Sequence, residues 1–204
     1  MKVVLATRNK GKLRELVPLL AHLGFDLCTI DEVAPEAELR EDGVTFVENA
    51  LAKARQAARA TGLPAIADDS GLEVDAIDGA PGVYSARYAG PGADDDSNNA
   101  KLLEALRGVP PAQRTARFRC VAVFVDPARA LELMRDGACE GEVLEAPRGQ
   151  DGFGYDPLFF VPKVGRTMAE LPLEEKNRLS HRATAFRALA DALASTLTRE
   201  RSSG

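Results

Sequence analysis

KVVLATRNKGKLRELVPLL, residues 2–20, sets the fold. Lys2 to Ala6 is a short apolar run that reads as a buried strand, and Thr7 to Gly11 reads as a loop. Leu13, Leu16, Val17, Leu20 and Leu23 then recur at helical spacing, with Gly24 as the stop. Pro18 conflicts with that helix because it removes one backbone donor. The same alternation continues outward. Phe25 to Ile30 looks like a second strand, and Thr45 to Ala60 is the clearest helix. Thr45 and Glu48 have capping-box spacing there, and Phe46, Ala50, Leu51, Ala54, Ala57 and Ala58 form a small-residue apolar face. Gly62 ends this helix and Pro64 prevents its return. Ala65 to Ala67 reads as a short strand running into Asp68-Asp69-Ser70-Gly71, with a Gly- and Pro-rich stretch to Gly92. Asp96 to Leu106 is predicted helical, with Gly108 as its stop, and Thr115 to Asp126 reads as a central strand. Two more strands are predicted near Ala130 to Arg135 and Ala138 to Val143. Ser180 looks like the N-cap of a last helix reaching about Leu197, with 199–204 as a frayed tail. Strands alternating with helices indicate an α/β fold.

The 204 residues suffice to bury a sizeable core. Hydrophobic residues at 45% and charged residues at 28% fit a soluble globular enzyme rather than a disordered chain. A net charge of -5 argues against a nucleic-acid surface, which needs a basic stripe to displace counterions. Cys28, Cys120 and Cys139 are too widely spaced for a thiolate metal site or a disulfide framework, so reduced thiols in a cytoplasmic protein are expected. No signal peptide is read at the start, and no apolar run approaches the roughly 20 residues that cross a bilayer. His22 and His181 are the only histidines, so any metal would be a hard cation held by carboxylates.

Four stretches carry candidate chemistry. Thr7-Arg8-Asn9-Lys10-Gly11-Lys12 opens a helix, where free backbone N–H groups and the helix dipole attract an anion. It is not the ordinary P-loop, because Leu13 follows Lys12. A solvated helix start explains it equally well. Asp68 and Asp69, read at a strand end, form a carboxylate pair able to hold a divalent ion or activate water, with Glu41, Asp42 and Glu48 in reserve. Against that, Asp68 reads equally as a turn residue, and capping alone accounts for Glu48. In Gly152-Phe153-Gly154-Tyr155-Asp156-Pro157, two aromatic rings are placed to stack on a base, or else to form a tight turn. Glu174 to Arg182 brings Lys176, His181 and Arg182 near helix starts, where surface charge or a structural histidine is the plainer account.

In order, these stretches resemble the inosine triphosphate pyrophosphatase family, also called dITP/XTP pyrophosphatases, in its bacterial form. The likeness covers nearly the whole chain. It includes VLATRNKGKLREL (4–16), EDGVTFVENALAKA (41–54), ADDSGLEVDAIDGAPGVYSARYAG (67–90), TARFRC (115–120), FGYDPLF (153–159) and EEKNRLSHR (174–182). Arg8 stands where the family often has glycine and Asp42 where it often has threonine.

The resemblance implies one domain over residues 1–204, with an extended mixed β-sheet flanked by helices and two lobes holding a nucleotide between them. It implies Mg²⁺-dependent hydrolysis of ITP, dITP or XTP to the monophosphate and pyrophosphate. Asp69 would be the catalytic base and a metal ligand, and Glu41 the second metal ligand. Thr7, Arg8, Asn9, Lys10, Gly11 and Lys12 would hold the triphosphate with Lys176, Arg8 either contacting phosphate or facing solvent. Ser70, Phe153, Gly154, Tyr155, Asp156, His181 and Arg182 would complete the nucleotide pocket. A homodimer is expected, with residues 79–88 contributing, and no nucleic-acid or membrane partner.

Overall fold

A computed structural model describes residues 1–202, without the side chains of 197 and 199–202. The elements run β1 (Lys2–Leu5), α1 (Lys10–Leu20), β2 (Asp26–Thr29), α2 (Ile30–Val33), α3 (Phe46–Thr61) and β3 (Ala65–Val74). They continue with α4 (Asp95–Ala105), β4 (Thr115–Asp126), β5 (Leu131–Val143), β6 (Phe159–Val161), β7 (Arg166–Thr167), α5 (Leu173–Leu179) and α6 (His181–Ser202). Seven strands form a sheet in the order β2-β1-β3-β4-β5-β6-β7. β1 pairs in parallel with β2 and β3, whereas β6 pairs antiparallel with β5 and β7. The sheet is mixed, as the family resemblance implies.

The chain divides into two compact units. The first contains residues 1–69, 120–137 and the chain from Arg182 onward; the second contains 70–119 and 138–181. In the first unit, strand side chains alternate between two cores because a strand's side-chain period is two. Val3, Leu5, Ile66, Cys120, Ala122 and Phe124 pack with Leu16, Leu19 and Leu20 of α1 and with Phe186, Leu189 and Leu193 of α6. Val4, Ala6, Ala65, Ala67, Val121, Val123 and Val125 pack instead with Ala50, Ala54, Ala57 and Ala58 of α3. Phe124 and Phe186 are wholly buried, and truncating either to alanine removes about 3–5 kcal/mol. α3 is bounded by the capping box of Thr45 and Glu48 and by left-handed Gly62, as its sequence dictates.

The second unit has its own core, in which Leu72, Val74, Leu102, Leu106, Phe118, Tyr155, Leu158 and Phe159 are buried together. Asp94 caps α4 at its start. Beyond the other end, Arg114 donates to the carbonyl of the C-cap residue Leu106 at 2.9 Å and to that of Val109 in the following loop at 3.0 Å.

Several boundaries differ from the sequence reading. β3 does not stop at Ala67 but runs to Val74, so Asp68 and Asp69 lie within a strand rather than at its end. The polar DDSG string has turn composition, yet partners for both carboxylates keep the backbone extended. The two strands predicted around Gly137 are one, β5, because that glycine stays extended. β6 and β7 are additional; at three and two residues they are too short to show a period. α1 starts at Lys10 and accommodates Pro18 in its last turn. α6 continues to Ser202, beyond the frayed tail expected from 199, and Ser203 and Gly204 lie outside the described residues.

Candidate functional site

The first unit holds an acidic group built on α3 and β3. Asp69 is 6% exposed, and its Oδ2 accepts from Asn49 Nδ2 at 3.0 Å. Lys53, one turn after Asn49 on α3, is 5% exposed and reaches Asp69 Oδ1 at 3.5 Å. The same ammonium donates to Glu41, in the loop before α3. Burial pushes the Asp69 carboxyl above its ordinary value, with Glu41 adding to the effect, and this outweighs Lys53 and Lys12. Burial works against the Lys53 charge, but Asp68, Asp69 and Glu41 overcome it and raise its pKa.

Asp68 points the other way, as its neighbour in a strand must. Its Oδ2 accepts from Lys12 Nζ at 3.0 Å and lies 3.3 Å from Arg182 Nε. Arg182 is itself bonded to buried Glu15 of α1. Burial alone would raise the Asp68 pKa, but Lys12, Arg182 and Lys53 hold it well below the carboxylate range. The two aspartates are therefore not a chelating pair. One belongs to the α1–α6 face and the other to the α3 face.

Thr7 and Asn9 shape the turn into α1. Asn9 donates its N–H to the Thr7 hydroxyl at 3.2 Å, and the Asn9 side-chain oxygen caps the Lys12 N–H at 3.0 Å. Lys10 and Gly11 occupy the exposed or half-buried first turn, where helix N–H groups point outward along the axis. Arg8 turns elsewhere. Its guanidinium donates to Asp31 and to the carbonyls of Pro35 and Ala37, which ties the 34–37 loop to the start of α1.

Glu41 and Asp69 suit a hard divalent cation. Both carboxylates converge on the Lys53 ammonium, an arrangement of hard oxygen donors around one positive centre. Mg²⁺ commonly takes one or two carboxylates and completes its shell with water and phosphate oxygens. Among the described residues, no group of three or more His, Cys, Asp or Glu is placed to hold an ion by itself. The donor set fits a substrate-assisted metal rather than a closed structural site.

In the second unit, Lys176 donates to buried Asp156, whose Oδ2 also accepts the Phe153 N–H at 2.9 Å. The Lys176 ammonium sits 5.0 Å from the Phe153 ring centroid. Gly152 has φ of +80°, and a Cβ there would collide with the Asp156 carboxylate, so this tight approach needs glycine. Asp95 accepts the Gly154 N–H at 2.6 Å, while Asn99 donates to the Gly154 carbonyl at 2.9 Å. Tyr155 does not offer its ring for stacking. It is 4% exposed in the core and its hydroxyl donates to the Ser85 carbonyl at 2.8 Å. His181 is buried and stacked on Phe118, with centroids 4.7 Å apart. Ser70 follows Asp69 directly and is half-buried.

A model of the Ham1 family matches residues 3–192. The chain belongs to the Ham1 family. Among its relatives, the dITP/XTP pyrophosphatase of Geobacter sulfurreducens is 55% identical, over 94% of this chain and 96% of that one. The protein of the same name from Methylococcus capsulatus is 57% identical, over 94% and 96%. The solved Ham1 protein of Staphylococcus aureus superposes with a TM-score of 0.86 at 39% identity, covering 96% of this chain and all of that one. A HAM1 protein from Coxiella burnetii gives 0.86 at 45% identity, covering 96% and 99%. The mixed α/β sheet is the fold of this family.

Three residues of these charged groups escape the sequence reading: Lys53, Asn49 and Glu15. Asn49 and Lys53 sit four apart beside Ala50 and Ala54, on the face of α3 that is otherwise apolar. A polar residue on a buried face is the available signal, because such a group needs a partner. Glu15 lies beside Leu16 and carries no signal of its own.

Proposed function

We propose that this protein hydrolyses non-standard purine nucleoside triphosphates, dITP, XTP and ITP, to the nucleoside monophosphate and pyrophosphate, and so clears them from the nucleotide pool. The observation that carries this reading is the Glu41–Lys53–Asp69 group, in which two carboxylates, from β3 and from the loop before α3, converge on one ammonium. Family membership and relatives named dITP/XTP pyrophosphatase support the substrate class.

Mg²⁺ held by Glu41 and Asp69 would offset the triphosphate charge and polarise the phosphate under attack. Asp69 takes the proton of the attacking water at Oδ1, which Lys53 approaches to 3.5 Å while Asn49 holds Oδ2. Lys53 keeps Glu41 and Asp69 together before the cation arrives. Thr7, Asn9, Lys10, Gly11 and Lys12 receive the phosphates, chiefly through the first-turn N–H groups of α1 and the Lys12 ammonium, with Lys176 assisting and Arg8 anchoring the 34–37 loop beside that turn rather than contacting phosphate. Ser70, Phe153, Gly154, Tyr155, Asp156, His181 and Arg182 shape the nucleotide pocket, Tyr155 from within the core and Arg182 through its hold on Asp68. Keto purines present an acceptor at position 6 where adenine presents a donor amine. A buried N–H aimed there is left unpaired by adenine, and that penalty selects against ATP.

The 204-residue chain works as one nucleotide pyrophosphatase domain, as a cytoplasmic homodimer to which residues 79–88 contribute, with neither nucleic acid nor membrane as partner. No described helix is long and apolar enough to cross a membrane. A product assay with ITP and Mg²⁺ that resolves pyrophosphate from orthophosphate tests the reading. Stoichiometric pyrophosphate and IMP are expected, with ATP a much poorer substrate. Orthophosphate as the product, or no turnover of ITP, dITP or XTP, refutes it.

A further inference from the structure

Asn49 ties α3 by hydrogen bonds both to β3 and to the loop that carries Glu41. It is 0% exposed. Its Oδ1 accepts the Gly43 N–H at 2.8 Å, and its Nδ2 donates to Asp69 Oδ2 at 3.0 Å. The amide can face only one way, because only oxygen toward the N–H and nitrogen toward the carboxylate satisfy both groups. Gly43 is two residues from Glu41. A Cβ at Gly43 would stand 2.6 Å from Glu48 Cβ and 2.8 Å from Asn49 Oδ1, so the loop rides this close to α3 only with glycine there.

The helix does not need Asn49 for its own sake. Thr45 and Glu48 already cap it, and alanines supply its packing face. A carboxamide buried at such a position costs stability unless both its ends are bonded. Its two bonds run to the two sides of the acidic group: the Glu41 loop and the Asp69 carboxylate.

We infer that Asn49 is a positioning residue for hydrolysis, holding Glu41 and Asp69 in the arrangement that takes the metal ion. This rests on the function proposed above for the same site. An apolar side chain of equal size leaves the Gly43 N–H and Asp69 Oδ2 unbonded, and the two carboxylates lose their common reference. Residues that hold metal ligands in this way typically change metal affinity or activity by about 10- to 100-fold when removed.

The test uses the full chain with Asn49→Leu and Asn49→Ser, and with Gly43→Ala, which breaks the same link from the loop side. Two quantities are read on protein shown to be folded by circular dichroism: kcat and KM for ITP, and the Kd for Mn²⁺ alone by titration calorimetry. The expected result is a fall in kcat of about 10- to 100-fold with a smaller change in KM, together with Mn²⁺ binding weakened about 10-fold or more. If Leu at this position prevents folding, the Ser and Gly43→Ala proteins decide. Folded variants that melt lower but keep wild-type kcat and Mn²⁺ affinity overturn the inference and leave Asn49 a structural residue. The wild type is measured alongside. If it releases no pyrophosphate from ITP, the functional reading fails, while the Mn²⁺ comparison still decides whether Asn49 orders the two carboxylates.

Discussion

Asp68 and Asp69 are neighbours in one strand and both buried, yet the two faces of β3 treat them in opposite ways. On the α1–α6 face, Asp68 and Glu15 meet Lys12 and Arg182, and the Asp68 pKa is held down. On the α3 face, Asp69 and Glu41 share Lys53, and the Asp69 pKa goes up. Burial raises both, but Lys12, Arg182 and Lys53 all act on Asp68, whereas Asp69 has only Lys53 and Lys12 against burial and the neighbouring Glu41 carboxylate. Arg182 locks Glu15 and Asp68 together on the first face, while the second gathers Glu41 and Asp69 around one ammonium.

The sharpest way to break this contrast is to neutralise each aspartate in turn. Asp69→Asn should keep the fold and lose about 10²- to 10⁴-fold in kcat for ITP, the usual worth of a placed proton acceptor. Because ionised Asp69 opposes folding at neutral pH, this variant should also melt above the wild type in a thermal scan. Normal turnover or a clearly lower melting temperature would erase the distinction between the faces.

Asp68→Asn should do the reverse. It takes from Lys12 and Arg182 the buried carboxylate they share, and loss of one partner from a buried ionic group costs about 3–5 kcal/mol, read as a lower urea midpoint at pH 7. The pH dependence follows from the depressed folded-state pKa. The Asp68 contribution is complete above the unfolded value of about 3.9 and is lost as pH falls through the lower folded value. The gap between wild type and Asp68→Asn should therefore be constant at neutral pH and close only in acid. A gap that widened on acidification would contradict the assignment.

Lys12→Ala should raise KM for ITP about 10- to 100-fold, the worth of a charge-assisted hydrogen bond to phosphate, with kcat altered less. A large kcat loss at unchanged KM would instead place Lys12 with the reacting atoms. The smallest effect belongs to Tyr155→Phe. It removes the hydroxyl bond to the Ser85 carbonyl, about 1 kcal/mol in urea unfolding, and should leave ITP turnover near normal.

Much of this is legible in the sequence where local chemistry and tertiary context agree. The Thr45–Glu48 capping box, the Gly62 stop and the central strand at Thr115–Asp126 are all found as read. The errors arise where composition and environment disagree. Asp68-Asp69-Ser70-Gly71 has the residues of a turn, and only the lysines and arginine brought in from α1, α3 and α6 make it tolerable as a strand. Once β3 is known to continue, its period of two separates the aspartates without further information. Tyr155 departs from expectation because an FGYD string does not reveal which ring the core takes. Asn49 and Lys53 escape notice because a helix rich in alanine reads as packing alone.

The central claim is that the cation belongs to the α3 face. Crystals grown with Mn²⁺ and a non-hydrolysable ITP analogue, and measured at the manganese absorption edge, test it most directly. The account predicts an anomalous peak about 2 Å from carboxylate oxygens of both Glu41 and Asp69, with Asp68 still paired to Lys12 or Arg182. A peak bound to Asp68 and remote from Glu41 would contradict it.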